Sequence, residues 1–300
     1  MSLCEFPGSP PLNTDVAGIG VRISFYVQAS LSIIFAVVSP PGDATYSQSL
    51  IYIVTNISII STAIILGFSP NPQITLQDCI VITFIVFLST IASFPNMVRS
   101  AFAESITEAD DWQSYSLAFL LFVMRALNTA FMLKLLLDHE TFGRYPQCNS
   151  KAKLFIFRTF TASQAWFIFT FSVQVIDLML SVIPILWQLV LIVRFAFEPE
   201  ETLELDERPM NAREAEAAVN LFRNIGLLGW PTALTLLFCV IFTELTIHVN
   251  NFAPTEGRVW QFGQILPLFL VVLPLIDITK ALTRDIRNAR LRQGGRFQPA

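Results

Sequence analysis

The sequence predicts an all-α, polytopic transmembrane bundle of about seven helices. Three observations lead there. Charged residues make up 14% of the chain and hydrophobic ones 53%, whereas soluble domains carry about 25% charged residues. Mean hydropathy is +0.58. Apolar runs near the ~20 residues that cross a ~30 Å hydrocarbon layer recur along the chain, separated by short polar breaks.

The expected spans, in order, are roughly Ile19–Val38, Leu50–Phe68, Ile80–Met97, Tyr115–Leu137, Ala165–Val193, Leu227–Val249 and Phe262–Leu282. Barrel strands are excluded because most of these runs are too long and too continuously apolar. Turn chemistry marks the breaks: SPPGD at Ser39–Asp43, SPNPQ at Ser69–Gln73 and NNFAPTEG at Asn250–Gly257. One transmembrane domain covers residues 1–300. Within it, residues 198–225 form an acidic loop carrying a short amphipathic helix, and residues 283–300 form a basic tail. The loop opens with EPEETLELDE and continues as NAREAEAAVNLFRN, a surface-helix pattern. The halves show no repeat, and an odd number of spans argues against a simple inverted-repeat transporter.

Lys280, Arg284, Arg287, Arg290, Arg292 and Arg296 crowd the tail, and Arg194, Arg208, Arg213 and Arg223 lie in the loop after span five. The excess of basic residues near cytoplasmic span ends places the C-terminus in the cytoplasm and the N-terminus outside or in a lumen. Arg144, Lys151, Lys153 and Arg158 then face outward, against the rule. No basic stretch precedes the first apolar run, so a cleaved signal peptide is not expected. Cys4 and Cys148 share the outer side, where a disulfide and two free thiols are both open readings. No CxxC pair occurs, so no thiolate metal site is expected, and no cofactor either. Asn56-Ile-Ser58 fits a glycosylation sequon but lies inside span two. The net charge of −4 favours no nucleic-acid partner; the partners expected are the bilayer and a small lipophilic molecule.

Charges inside the runs are the candidate functional residues, because an ionised side chain at mid-bilayer costs at least ~2.5–3.5 kcal/mol and usually faces a partner. Arg125 sits in the middle of span four. Asp177 lies at a matching depth in span five, with Asn128 and Gln174 one turn outward on each. Toward the outer face, Arg22 opens span one, Asp78 precedes span three, and Glu244 and His248 share one face near the end of span six. Phe numbers 27, and LFIFRTFTASQAWFIFTF puts Phe160, Phe167 and Phe171 on one helical stripe. Aromatic faces stabilise cations, although phenylalanine is also an ordinary lipid-facing residue. Asp277 and Lys280 are spaced for an intrahelical ion pair.

Several classes are excluded by what is missing. His139 and His248 are the only histidines, too few for a membrane di-iron desaturase. No GxGxxG or GxxxxGK[ST] phosphate loop occurs. ESITEADDW, Glu104 to Trp112, does not match the paired Asp motifs of membrane prenyltransferases. NMVRS stands where a rhodopsin-like receptor carries Asp-Arg-Tyr, PLIDITK where it carries NPxxY, and Lys280 lies at the end of span seven rather than its middle.

NTDVAGIGVRISFYVQ, Asn13 to Gln28, resembles the start of a set of fungal polytopic membrane proteins whose first helix begins D-x-x-GIGVR-x-x-FY-x-Q. The resemblance covers the first helix and implies a fungal source and a topology, not a chemistry. In size, span count and intramembrane acids the chain is also similar to the membrane terpene cyclases of fungal meroterpenoid pathways; no motif of theirs aligns. The intramembrane acids and the layout shared with the cyclases lead to the expectation of an integral membrane enzyme of fungal secondary metabolism, cyclising or isomerising an isoprenoid-like substrate. Glu244, Asp78 or Asp177 would act as the acid, and Arg125, Arg22, His248, Asn128, Gln174, Phe167 and Phe171 would hold the substrate. The competing expectation is a transporter, channel or sensor whose polar layers line a path or a ligand site.

Overall fold

The computed structural model describes residues 4, 10–38, 45–104, 111–156, 158–161, 172, 212–250, 271–280 and 283. It is a helical bundle in which five helices are long and apolar enough to cross a membrane. A short helix, α1 (Thr14–Ala17), leads into α2 (Ile19–Val38), followed by α3 (Thr45–Phe68), α4 (Leu76–Glu104) and α5 (Asp111–Asp138). A 3-10 turn (Pro146–Lys151) and a hairpin of β1 (Lys153–Ile156) and β2 (Arg158–Thr161) come next, then α6 (Ala212–Asn250). Residues 272–280 form α7.

Helix α4 is the axis of the bundle. It packs against α2, α3 and α6, and 89% of its apolar window is buried. A helix enclosed on every side must be apolar on every side. CIVITFIVFL, Cys79 to Leu88, meets that need: Ile80, Val81, Ile82, Phe84, Ile85 and Leu88 are all buried, with Phe25 of α2 and Ile60 of α3 in the same core. The outlying helices read differently. On α5, Phe119, Phe122, Leu133 and Leu137 are exposed, as are Trp230, Leu234 and Ile241 on α6.

The starts of α2 and α4 and the ends of α3, α5 and α6 meet at one face, here called the N-terminal face, where loops form a folded cap. Asn13 caps α1, its side chain accepting from Asp15 N. Gly18 then turns the chain into α2; a Cβ there would lie 2.2 Å from the Thr14 carbonyl oxygen, so no other residue fits. Phe142 meets Phe68 edge-on with centroids 5.0 Å apart. Gly143 follows with φ +80°, and its amide neighbour Arg144 N donates to Ile74 O at 2.9 Å. Asn149 Nδ2 donates to the carbonyls of His139 and Phe142, which pins the loop after α5. A Cys4–Cys148 disulfide ties the N-terminal segment to that loop, settling between the two readings of those cysteines.

The hairpin differs from the helical stripe expected at Leu154–Phe171. Leu154 pairs with Phe160 across antiparallel strands, so Phe160 belongs to β2. Helix α6 supplies the reason. Asn250 Oδ1 accepts from Lys153 N at 2.8 Å and its Nδ2 donates to Lys153 O at 2.7 Å, while Phe155 N donates to Thr246 Oγ1. Two polar side chains one helical turn apart thus match alternate residues of β1 and satisfy its free edge. The surface helix expected in NAREAEAAVNLFRN is not separate: it runs unbroken into span six as the 39-residue α6. Span five, Ala165–Val193, and the basic tail beyond Thr283 lie outside the described residues.

Candidate functional site

Helix α2 places Arg22 and Tyr26 on one face, four residues apart. Both reach across to Glu244 of α6, which packs beside α2. The Arg22 guanidinium forms an ion pair with Glu244 Oε1 through Nη1. Its Nε donates to Ala17 O at 3.1 Å, fixing the side chain from behind. The Tyr26 hydroxyl donates to the same Glu244 Oε1 at 2.8 Å. Two donors therefore converge on one oxygen, and Oε2 accepts no hydrogen bond among the described residues. Glu244 stands six residues before the end of α6, ~9 Å below the N-terminal face at ~1.5 Å per residue.

The pair is asymmetric. The Arg22 side chain is 9% exposed and that of Glu244 is 45% exposed. The guanidinium is enclosed by the bundle, whereas the carboxylate lies open on one side. Buried charge needs a partner, so Arg22 depends on Glu244 more than Glu244 depends on Arg22. The arrangement offers an oriented acceptor, the free edge of a carboxylate, next to a phenol inside an apolar wall.

Asp78 is placed differently. Thr75 is the N-cap of α4 and Asp78 its third residue, and the two make a reciprocal capping box. Asp78 N donates to Thr75 Oγ1 at 3.2 Å, and Asp78 Oδ2 accepts from Thr75 N and Thr75 Oγ1, both at 2.8 Å. Oδ1 accepts from Asn13 N at 2.8 Å. The carboxylate is fully buried and ties the segment before α1 to the start of α4. The Thr-x-x-Asp spacing ahead of an apolar run is a sequence signal for this role. His248, one turn beyond Glu244, is exposed and makes no hydrogen bond among the described residues.

Of the mid-membrane patch, Arg125 is half-buried on α5 and Asn128 is buried one turn on. Asp177, Gln174, Phe167 and Phe171 lie outside the described residues. Among the described residues, no three His, Cys, Asp or Glu side chains gather where they could hold a metal ion. Asp277 of α7 accepts from Gln48 Nε2 at 3.0 Å and lies 3.8 Å from Lys280.

The structure therefore joins Arg22 to Glu244, as their positions near span ends suggest, and adds Tyr26. The signal for Tyr26 is its place one turn after a buried arginine. Neither a scan against protein-family models nor searches of curated proteins and of solved structures found a match.

Proposed function

We propose that this membrane protein binds a small lipophilic molecule, holding its polar end at the Arg22–Tyr26–Glu244 triad. The observation that carries the reading is the half-open carboxylate of Glu244, fixed on one oxygen by two donors and, among the described residues, with no donor on the other. A free carboxylate edge accepts a hydroxyl or ammonium group, and it is strongest where water is scarce. The apolar walls of α2 and α6 suit the hydrocarbon remainder of the ligand. The N-terminus faces outside or into a lumen. The Cys4–Cys148 disulfide supports this, because disulfides persist in oxidising compartments. On that side, Arg144, Lys151, Lys153 and Arg158 belong to a folded cap rather than to loose loops.

A second reading is isomerisation or cyclisation of such a ligand, in a fungal secondary pathway. It is favoured by the same free oxygen, which lies where it can take a proton from a bound substrate. Chemistry begun by proton donation fits less well. Glu244 Oε1 and both oxygens of Asp78 serve as acceptors, so a donated proton would have to sit on Glu244 Oε2, the same edge that receives the ligand.

Metabolite profiling of cells and medium after deletion of the gene tests the assignment. Binding predicts that one lipophilic compound shifts its ratio between cells and medium, with no isomer appearing. Loss of one product and accumulation of an isomer of equal mass moves the assignment to the second reading. An unchanged profile contradicts both.

A further inference from the structure

A second polar layer lies between α3 and α4, toward the face opposite the N-terminus. Along α3, Gln48, Tyr52 and Asn56 repeat every four residues and so form one stripe, with Ser49 beside Gln48. Ser89, Thr90 and Ser93 of α4 belong to the same layer, and all seven residues are buried. Tyr52 donates to Thr90 Oγ1 at 3.0 Å. Asn56 Nδ2 donates to Ser89 Oγ at 2.9 Å and to Tyr52 O at 2.8 Å. At the open end, Gln48 bridges to the Asp277 carboxylate.

Among the described residues, two oxygens in this seam have no donor: Asn56 Oδ1 and Ser49 Oγ, both on buried residues. Asn56 is fully buried, and its amide is turned to α4 by the bond to Ser89, which places Oδ1 in the same seam. It stands eleven residues into α3, ~16 Å from the start of the helix. Ile53 and Ile60, within four residues of Asn56 on α3, and Ile85 and Leu88, within four residues of Ser89 on α4, are all buried hydrocarbon. An unpaired amide oxygen in such surroundings is costly unless something occupies it.

We propose that the α3–α4 seam binds a monovalent alkali cation with accompanying water, entering past Asp277 and resting at Asn56. The donor set is the reason. It consists of neutral oxygens (amide and hydroxyl), which suit a hard cation of single charge. Calcium and magnesium take carboxylates directly, and the one carboxylate here among the described residues, Asp277, stands at the mouth. The site is separate from the Arg22–Tyr26–Glu244 triad.

The test is thermal unfolding of the full chain in detergent, titrated with NaCl or KCl against choline chloride at constant ionic strength. A bound cation stabilises the fold in proportion to RT ln(1 + [L]/Kd), so a saturable rise in Tm is expected with an alkali salt and none with choline. Asn56→Leu should abolish the rise, and Glu244→Gln should leave it intact. Asn56→Asp, which supplies a charged oxygen at the same place, should lower the half-saturating concentration at least several-fold. It carries the test if Asn56→Leu does not fold. Equal melting curves in alkali and choline salts overturn the proposal, as does a rise that Asn56→Leu or Asn56→Asp leaves unchanged.

Discussion

Removing either partner of the Arg22–Glu244 pair should have unequal consequences, and the inequality follows from exposure. In Glu244→Leu the guanidinium remains enclosed at 9% exposure, with the Ala17 carbonyl as its one bonded acceptor among the described residues. Breaking a buried pair by deleting one partner costs ~3–5 kcal/mol. The open side of this site puts the loss near the lower end, about 3 kcal/mol. In Arg22→Leu the carboxylate is 45% exposed and keeps the Tyr26 hydroxyl. Its loss should be about 1 kcal/mol, the scale of one hydrogen bond in a half-solvated place. The double substitution leaves Tyr26 without its acceptor but no buried charge, and should also cost about 1 kcal/mol. The coupling between the two positions is then about 3 kcal/mol, well beyond the few tenths expected of independent sites. Unfolding free energies of the four proteins in mixed micelles give the cycle. Additive losses, or a larger loss in Arg22→Leu than in Glu244→Leu, would refute the reasoning.

Other outcomes follow from the cap and its ties. Asp78→Ala removes the acceptor for Asn13, for Thr75 N and for the Thr75 hydroxyl, and should lower stability by about 2–4 kcal/mol in the same assay; a carboxyl needed only for reaction would leave the melt unchanged. Gly143→Ala forces a side chain into φ +80° with its Cβ 2.6 Å from the Ile74 carbonyl oxygen, and should cost about 1–3 kcal/mol by thermal melt. Asn250→Leu removes both bonds to Lys153, so amide hydrogen exchange should accelerate at Lys153 while α4 stays protected. Maleimide applied to the folded protein in detergent should label Cys4 and Cys148 only after reduction, and leave the buried Cys79 and Cys239 unlabelled until unfolding.

The spans were legible because hydropathy reports a physical length. Ile19–Val38 coincides with α2, and the run ending at Phe68 ends where α3 does. Helix α4 runs from Leu76 to Glu104, longer than the Ile80–Met97 run, because backbone hydrogen bonding continues where the apolar sequence stops. Arg22 and Glu244 were visible as charges in apolar helices, but their meeting was not, since it depends on α2 packing against α6 across 222 positions of sequence. Asp78 shows how little a residue type specifies. An acid beside a membrane span reads equally as a reacting group and as a cap, and the bonds from the Thr75 and Asn13 amides add the capping role, which the spacing alone left open. The hairpin was missed for a related reason: the Phe, Leu and Ile of KLFIFRTFT read as a lead-in to the apolar helix expected after it, and what holds β1 is Asn250, nearly a hundred residues away. The seam at Asn56 left a fainter trace, one amide in an apolar run that also matched a sequon.

The central claim is that Glu244 receives the polar end of a lipophilic ligand. Mass spectrometry of small molecules released from the protein, purified from its own host's membranes, tests it most directly when the chain and its Glu244→Gln variant are compared. One lipophilic compound with a hydroxyl or amine should stay with the unaltered protein and be lost from the variant, while bulk phospholipid is equal in both. The same set of compounds in equal amounts from both proteins would contradict it.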